Sequence, residues 1–415
     1  MAMTKLLKYL FHLDHWLITI FAFVILWFLY AAVSGLSLFS PVKRALSDMS
    51  TTDVFFQITN KSSQVNQDIT IVDIKDEYNR GNIAECISAV DSLKPWVIGV
   101  DIIFESIKGE PEDNISLFQT AADMDSKTVW ATKLLDYDPA NQLFMNQSES
   151  FFADSLAVVS GFTNLDDNLE NTTIRKMLTE ETLNGNNVYS FPVAVAMSLD
   201  DSIALKPTSK LSIDYSTKFT TVAYDSIDNN KDLIKDHIVL IGSTTDESDM
   251  WHTPIGKMPG VMVQAYSLNT IRNHSDIKYF SKWTNLLIAF ILCYLFEVLI
   301  DFGFQRLRKR DNALGHFLID SKLLLRVATI VFMAIVTWII LLVFVYHSKY
   351  IDAVLILAAL GILIESRRIY NAAIKALSKN HNWWILKNSL LITIYSNEKD
   401  ICIHHIDDDS MLHKC

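Results

Sequence analysis

The segment DITIVDIKDEYNRGNIAECISAVDSLKPWVIGVD (residues 68–101) contains two strand patterns separated by a helix pattern. Asp68–Ile74 alternates and is rich in β-branched side chains, which is typical of a strand. Apolar residues recur at helical spacing over Asn82–Leu93, and Trp96–Asp101 is a nearly continuous apolar run, as in strands covered on both faces. This order predicts a βαβ unit in which two parallel strands are joined by a right-handed crossover.

Further strand and helix patterns follow this segment. Strands are predicted at Thr128–Thr132, Leu156–Ser160 and His237–Ile241, and helices at Phe191–Leu199 and Gly260–Ile271. The stretches 106–126 and 136–155 are polar and are predicted as loops. Residues 40–282 are therefore predicted to form one α/β domain with a mainly parallel sheet flanked by helices.

Four apolar runs lie outside this domain. The first, residues 17–36, has no charged residue across 20 positions, which is long enough to cross the core of a bilayer as a helix. The runs 283–303 and 327–346 are also of full length, whereas the run 350–366 is shorter and predicts a short or tilted span. We therefore expect an α-helical membrane region of about four spans. An alternative is that the first run is a cleaved signal peptide.

The distribution of basic residues predicts the side of the membrane that each segment faces. They cluster before the first run, between the second and third, and after the fourth: Lys5, Lys8, Arg306, Arg308, Lys309, Arg310, Lys322, Arg367 and Arg368. By the positive-inside rule, residues 1–16, 304–326 and 367–415 are cytoplasmic and residues 40–282 lie outside. The outer segment is acidic, with 20 basic and 35 acidic residues.

The composition excludes several classes of function. The chain has 415 residues and a formal net charge of −11, whereas a nucleic-acid-binding domain usually carries a basic patch. It contains only 12 glycines, and none has the GxGxxG or GxxxxGK[ST] spacing of a phosphate-binding loop. We therefore expect no nucleic-acid partner, no nucleotide cofactor and no resident metal.

Three stretches of the outer segment, taken in order, carry a resemblance to a known family. They are IVDIKDEYNR (71–80), KPWVIGVDIIFES (94–106) and HIVLIGSTTDESDMWHTPIGKMPGVMVQAYSLNTIR (237–272). They resemble the CHASE2 domain, whose members usually show an IVDIDD start, a VIGxDIxF strand and an IVLIG…TPxGxxPGV close. The resemblance covers about residues 45–280.

This resemblance implies the extracytoplasmic sensory domain of a bacterial transmembrane receptor, located in the cytoplasmic membrane and in contact with its lipids. It implies a signal ligand, without identifying it, and a protein that is not an enzyme. In the family, the spans usually connect to a cyclase or kinase domain, whereas only 47 residues follow Arg368 here. We therefore expect a separate cytoplasmic or membrane protein to provide the output, and we expect a homodimer.

Polar residues follow the predicted strands at one edge of the sheet. Ligands of open α/β sheets bind beyond the carboxyl ends of the strands, which makes this edge the predicted ligand site. The predicted ligand-binding residues are Asp73, Asp76, Asp101, Ser243, Thr244, Asp249, His252 and Thr253. The alternative is that these side chains cap helices and hold turns.

Two acidic residues lie in the second apolar run. Glu297 is about 14 residues into it, and Asp301 follows one helical turn later. Acidic side chains at this depth are costly and usually face protein, which predicts a role in assembly. We expect Glu297 to meet Arg326 or a polar group in the interior of the helix bundle, or to contact a partner subunit, and the alternative is that both acids reach the inner membrane interface.

The predicted cytoplasmic tail contains two strand patterns. Leu390–Tyr395 and Ile401–Ile406 together have the pattern of a β-hairpin.

Two other functions are alternatives to a sensor. The first is a scaffold subunit that binds an envelope protein. An exterior hydrolase that uses Asp73, Asp101 and His252 is the second.

Overall fold

The computed structural model describes residues 12–34, 53, 56–57, 60, 64–165, 173–200, 210–308, 322–347 and 349–377. The chain divides into two compact units. Residues 41–278 form the first, which we call the α/β unit, and residues 1–40 with 279–415 form the second, which we call the helical unit.

The strands of the described chain are numbered in order. They are β1 (Val65–Asp73), β2 (Val97–Val100), β3 (Thr128–Asp138), β4 (Leu143–Ser148), β5 (Val159–Phe162), β6 (Lys176–Leu178), β7 (Glu180–Leu183), β8 (Asn186–Tyr189), β9 (Lys210–Ser212), β10 (Lys218–Ala223), β11 (Ile238–Gly242), β12 (Met250–Thr253), β13 (Gly256–Pro259), β14 (Lys278–Tyr279) and β15 (Lys349–Tyr350). The helices are α1 (Leu13–Ser34), α2 (Arg80–Ser92), α3 (Pro111–Ala122), α4 (Ala153–Leu156), α5 (Phe191–Leu199), α6 (Gly260–Arg272), α7 (Lys282–Arg308), α8 (Lys322–His347) and α9 (Ala353–Leu377). Short 3₁₀ turns occur at Tyr224–Asn229, Lys231–Leu233 and Glu247–Asp249.

One mixed sheet organises the α/β unit. Its order in the described residues is β10-β1-β11-β2-β3-β4-β7-β8, with β5 also paired to β3. The strands β10, β1, β11, β2, β3 and β5 are mutually parallel, and antiparallel pairing begins where β4 joins β3. The prediction of a sheet flanked by helices is confirmed, and the antiparallel extension makes the sheet mixed.

The predicted βαβ unit has the expected elements in a different arrangement. Strands β1 and β2 are parallel and α2 connects them, but β11 lies between them in the sheet. All five residues of β11 are buried, as are all four of β2. The most apolar strands therefore occupy the centre of the sheet, although β11 comes about 140 residues after β2 in the chain.

Two predicted loops contain regular structure. Helix α3 lies within 106–126, and β4 with α4 lies within 136–155. Pro111 is at the start of α3, and Glu112 and Asp113 occupy its first turn, where acidic groups favour helix formation. The strand predicted at Leu156–Ser160 is β5, three residues later, because Ala157 has a left-handed conformation (φ 47°) and ends α4 first.

Helix α2 illustrates how the core is built. The side chain of Asn79 accepts a hydrogen bond from the backbone N–H of Asn82 and caps the helix. Its buried face includes Ile83, Ile87 and Cys86, the last with only 4% of its surface exposed. On the sheet, Gly161 allows the backbone of α5 to approach closely, since a Cβ there would clash with Phe191.

Among the described residues of the helical unit, three helices are long and apolar enough to cross a membrane. These segments are Leu13–Ala32, Lys282–Gly303 and Leu325–Phe344. The predicted fourth run forms the first part of the long helix α9, which ends at Leu377. It is not one of these three helices, because charged residues lie near its middle. The predicted tail hairpin lies outside the described residues.

Candidate functional site

The carboxyl ends of three parallel strands meet at one edge of the α/β unit. Asp73 at the end of β1 is in register with Gly242 at the end of β11. On the other side, the backbone N–H of Asp101 donates to the carbonyl of Ile241 at 2.8 Å. Asp73 and Asp101 therefore flank Gly242, with one strand between them, so that their Cα atoms are about 10 Å apart.

Asp73 holds the loop that follows β11. Its Oδ1 accepts from the backbone N–H of Thr244 at 2.9 Å and of Lys75 at 2.8 Å. Its Oδ2 accepts from the hydroxyl of Thr244 at 2.6 Å. Ser243 donates to the carbonyl of Lys75 at 2.8 Å, so the loops after β1 and β11 are joined in both directions.

Asp76 and Thr253 also make local contacts. Asp76 accepts from the hydroxyl of Thr245 at 2.8 Å. Thr253 donates to the carbonyl of Gly256 at 2.6 Å and closes the β12–β13 hairpin. Both side chains therefore contribute to loop structure.

Asp249 connects the hairpin to helix α6. Its Oδ1 accepts from the indole N–H of Trp251 at 2.9 Å, and its Oδ2 accepts from the backbone N–H of Gly260 at 3.0 Å. A carboxylate at this position is stabilised by the positive end of the helix dipole. A Cβ at position 260 would clash with the Asp249 carboxylate, so this contact requires glycine. Burial raises the pKa of Asp249 above its usual value.

Asp101 differs from its neighbours at this edge. Burial, with a smaller effect from the charge of Asp249, raises the pKa of Asp101 to about 7. In the described part of the chain, the hydrogen bond that Asp101 makes is the one from its backbone N–H to Ile241, and its carboxylate accepts none. Asp101 is therefore a carboxyl group whose charged form is disfavoured by burial and whose side chain holds no loop.

A comparison with known families identifies the chain. The model of the CHASE2 domain matches residues 20–298, about two thirds of the sequence. The chain belongs to the CHASE2 domain family. No curated protein and no solved structure matches it. CHASE2 is a family of extracellular sensory domains, and three apolar helices fit a membrane protein.

The CHASE2 match is wider than the predicted range of 45–280. It begins within α1, continues through the whole α/β unit and ends within α7. The family model therefore includes parts of the two helices that flank the domain in sequence.

His252 does not join the carboxylates of this CHASE2 domain. Its side chain is exposed, while its backbone carbonyl accepts from the N–H of Ile174 at 2.7 Å. No group of three or more His, Cys, Asp or Glu residues suited to a metal ion occurs in the described part of the chain. The ligand-binding role of the eight predicted residues stays a prediction.

Arg80 is a buried cation that the sequence analysis did not single out. It begins α2 and donates to the side chain of Asn114 on α3. Its guanidinium lies 5.5 Å from the ring centre of Phe104 and 5.6 Å from that of Phe151. Asn114 also bonds the backbone of Lys108, so Arg80 helps to order the loop before α3. Recognising α3 from Pro111 and its acidic first turn would have drawn attention to this pair.

Glu297 and Asp301 share a cationic partner in the helical unit. Arg367 of α9 lies 3.0 Å from Glu297 and 2.9 Å from Asp301, measured between nitrogen and oxygen atoms. The Glu297 side chain is 1% exposed, and those of Arg367 and Asp301 are 14% and 19% exposed. Of the partners expected for Glu297, the structure has a polar group inside the bundle, Arg367, whereas the side chain of Arg326 is exposed.

Further polar contacts connect the helices of this unit. Tyr370 of α9 donates to Asp14 of α1 at 2.7 Å. At the opposite end of α9, the backbone N–H of Asp352 donates to the side chain of Asn285 on α7 at 3.3 Å. Helix α9 is therefore tied to both α1 and α7.

Proposed function

We propose that this protein is a multi-pass sensor of the bacterial cytoplasmic membrane. Its CHASE2 domain lies outside, detects an extracellular or periplasmic signal, and passes it to a separate cytoplasmic or membrane protein. The observation that carries this proposal is the extent of the family match, from within α1 to within α7. A sensory domain matched together with its flanking apolar helices fits a receptor.

Chain connectivity supports transmission through α7. Helix α6 ends at Arg272 and α7 begins at Lys282, so nine residues separate the last helix of the domain from the second apolar helix. Asp249 is bonded to the first residue of α6. A movement of the loops at the carboxyl edge of the sheet can therefore pass along a short stretch of chain to α7. A ligand that binds one arrangement of these loops more tightly would shift the population of molecules toward that arrangement.

The contacts of α9 support a fourth span. Asn285 of α7 contacts Asp352, the residue before α9, and Asp301 of α7 contacts Arg367 of α9. These intervals are 16 and 15 residues, about 23 Å of helix in each case. Helix α9 therefore runs beside α7 in the same direction and over a comparable length. With four spans, the basic segments 1–16, 304–326 and 367–415 all lie in the cytoplasm, as the positive-inside rule requires.

Thiol labelling of intact spheroplasts tests this topology. Lys235 is exposed in the α/β unit, and Lys235→Cys gives an outer reporter, while the native Cys402 and Cys415 report on the tail. The proposal expects a membrane-impermeant maleimide to label position 235 and to label the tail only after permeabilisation. Labelling of the tail in intact spheroplasts would show an odd number of spans.

A pull-down from native membranes tests the output. The full chain is compared with a chain truncated after Leu377, which keeps α9 and its bond to Asp14. We expect a stoichiometric cytoplasmic partner that is lost on truncation. Recovery of the same envelope proteins with both chains would instead favour a scaffold subunit.

A further inference from the structure

One guanidinium connects two helices inside the helical unit. Arg367 is on α9, and its two carboxylate partners, Glu297 and Asp301, are one turn apart on α7. The hydrogen bond from Arg367 to Asp301 is 2.9 Å long. Because an apolar helix has no spare backbone donors, such a contact is the main polar connection available between neighbouring helices.

The two ends of the α7–α9 pair are joined by different chemistry. At the end near Asn285 the hydrogen bonds are between uncharged groups: the backbone N–H of Asp352 donates to the side chain of Asn285 at 3.3 Å, and that of Phe280 donates to the carbonyl of Tyr350 at 3.3 Å. At the other end Arg367 forms an ion pair with each of two carboxylates, and its contact with Asp301 is also a hydrogen bond. A hydrogen bond between charged groups is stronger and more directional than a neutral one. In the described residues, Arg367 therefore supplies the charged connection between α7 and α9.

We propose that Arg367 holds α7 and α9 together as a rigid pair, so that a movement of α7 is passed to α9 and to the chain beyond it. This role rests on the proposed sensor function, in which α7 receives the movement of the CHASE2 domain. Arg367 is then a positioning residue: it contacts no signal, and it determines whether the signal reaches the tail.

Distances between spin labels on the full chain in lipid nanodiscs test the coupling. Labels are placed at exposed positions, Leu299 on α7 and Ile369 on α9, with Cys402 and Cys415 replaced by serine. The test variant is the neutral triple Glu297→Gln, Asp301→Asn, Arg367→Gln. The matched control removes an exposed ion pair of α9, with Glu365→Gln and Arg368→Gln.

The parent and control chains are expected to give a narrow α7–α9 distance distribution. The triple variant is expected to broaden or shift it by about 5 Å, roughly one helical turn. A second label pair, Ile20 on α1 with Leu299, is expected to keep its distribution in all three chains, which separates loss of coupling from loss of structure. If the triple variant does not fold, Glu297→Gln alone is expected to give a smaller broadening.

Equal distributions in the parent and the neutral variants would overturn the proposal, because packing alone would then couple the helices. A broad distribution in the parent chain would overturn it as well. No signal is added in this experiment. Either of these results would therefore count against the role of Arg367 alone. The sensor function would still be tested by the labelling and pull-down experiments.

Discussion

The two units of this protein hold their buried acidic groups in different ways. In the α/β unit, Asp73 is satisfied by backbone N–H groups and a hydroxyl from loops at the ends of neighbouring strands. In the helical unit, Glu297 is paired with Arg367, which is 70 residues away in the sequence. The same chemical group thus has neutral partners in one unit and a charged partner in the other.

This difference follows from the backbone. Loops at strand ends have N–H groups that no ladder uses, and a carboxylate can accept from several of them. Within an apolar helix every interior N–H is already bonded, so only another side chain can serve. An acidic residue in such a helix therefore indicates a cation on a different helix, as Glu297 does.

Removing the cation should have the largest effect. Arg367→Gln leaves Glu297 buried without its charged partner, and loss of one member of a buried ion pair typically costs about 3–5 kcal/mol. We expect a strongly lowered melting temperature of the full chain in detergent. Arg368→Gln is the matched control, since that side chain pairs with Glu365 on an exposed surface and should change little. Equal melting temperatures for the two variants would contradict the importance of the buried pair.

Asp73→Ala should destabilise the α/β unit by about 2–3 kcal/mol, because three donors lose their acceptor. Chemical unfolding followed by the fluorescence of the tryptophans measures this loss. Asp76→Ala is the control, since Asp76 makes one hydrogen bond on the surface and its removal should cost under about 0.5 kcal/mol. An equal loss in the free energy of unfolding for the two variants would contradict the role of Asp73 as the acceptor that holds these loops.

The charge of Asp101 should make stability depend on pH. Its pKa is about 7 in the folded state, against a usual value of 3.8, so the folded protein holds an extra proton between about pH 4 and pH 7. Stability should therefore fall as the pH rises through this window, by about 1–2 kcal/mol between pH 5 and pH 7. Asp101→Asn should flatten the profile of melting temperature against pH. An unchanged profile would mean that another group, such as Asp249, is responsible.

The smallest expected effect concerns the cap of α2. Asn79→Ala removes the acceptor for the N–H of Asn82 and should cost about 1 kcal/mol. Hydrogen exchange of the first turn of α2 should accelerate, while that of the central strand β11 should not. Equal acceleration in both would indicate a global effect.

The elements of the central sheet were predictable because their patterns are local. Alternation in β1, the apolar runs of β2 and β11, and the bounds of α5 can be read from short windows. The position of β11 between β1 and β2 could not be read in this way, because strand order depends on contacts between distant segments. Helix α3 was missed because its polar composition resembles a loop, although Pro111 indicates its start.

For the candidate sites, too, the location could be predicted from local patterns, whereas the contacts could not. Parallel strand ends meet at one edge, so the neighbourhood of Asp73 and Asp101 could be predicted from the strand patterns. Their different roles depend on hydrogen bonds from loops, which the patterns do not specify. The partner of Glu297 could not be singled out from the sequence, because Arg367 lies 70 residues further on and only the packing of α9 beside α7 brings the two side chains together.

The burial of Cys86 within the core has a consequence for the redox chemistry of the folded domain. Removal from water raises the pKa of its thiol to about 12, so the thiolate is strongly disfavoured at neutral pH. Since the thiolate is the reactive form, the folded domain should neither oxidise at Cys86 nor form a disulfide there between two copies. The folded α/β unit is thus expected to keep this thiol free in reducing and oxidising surroundings alike.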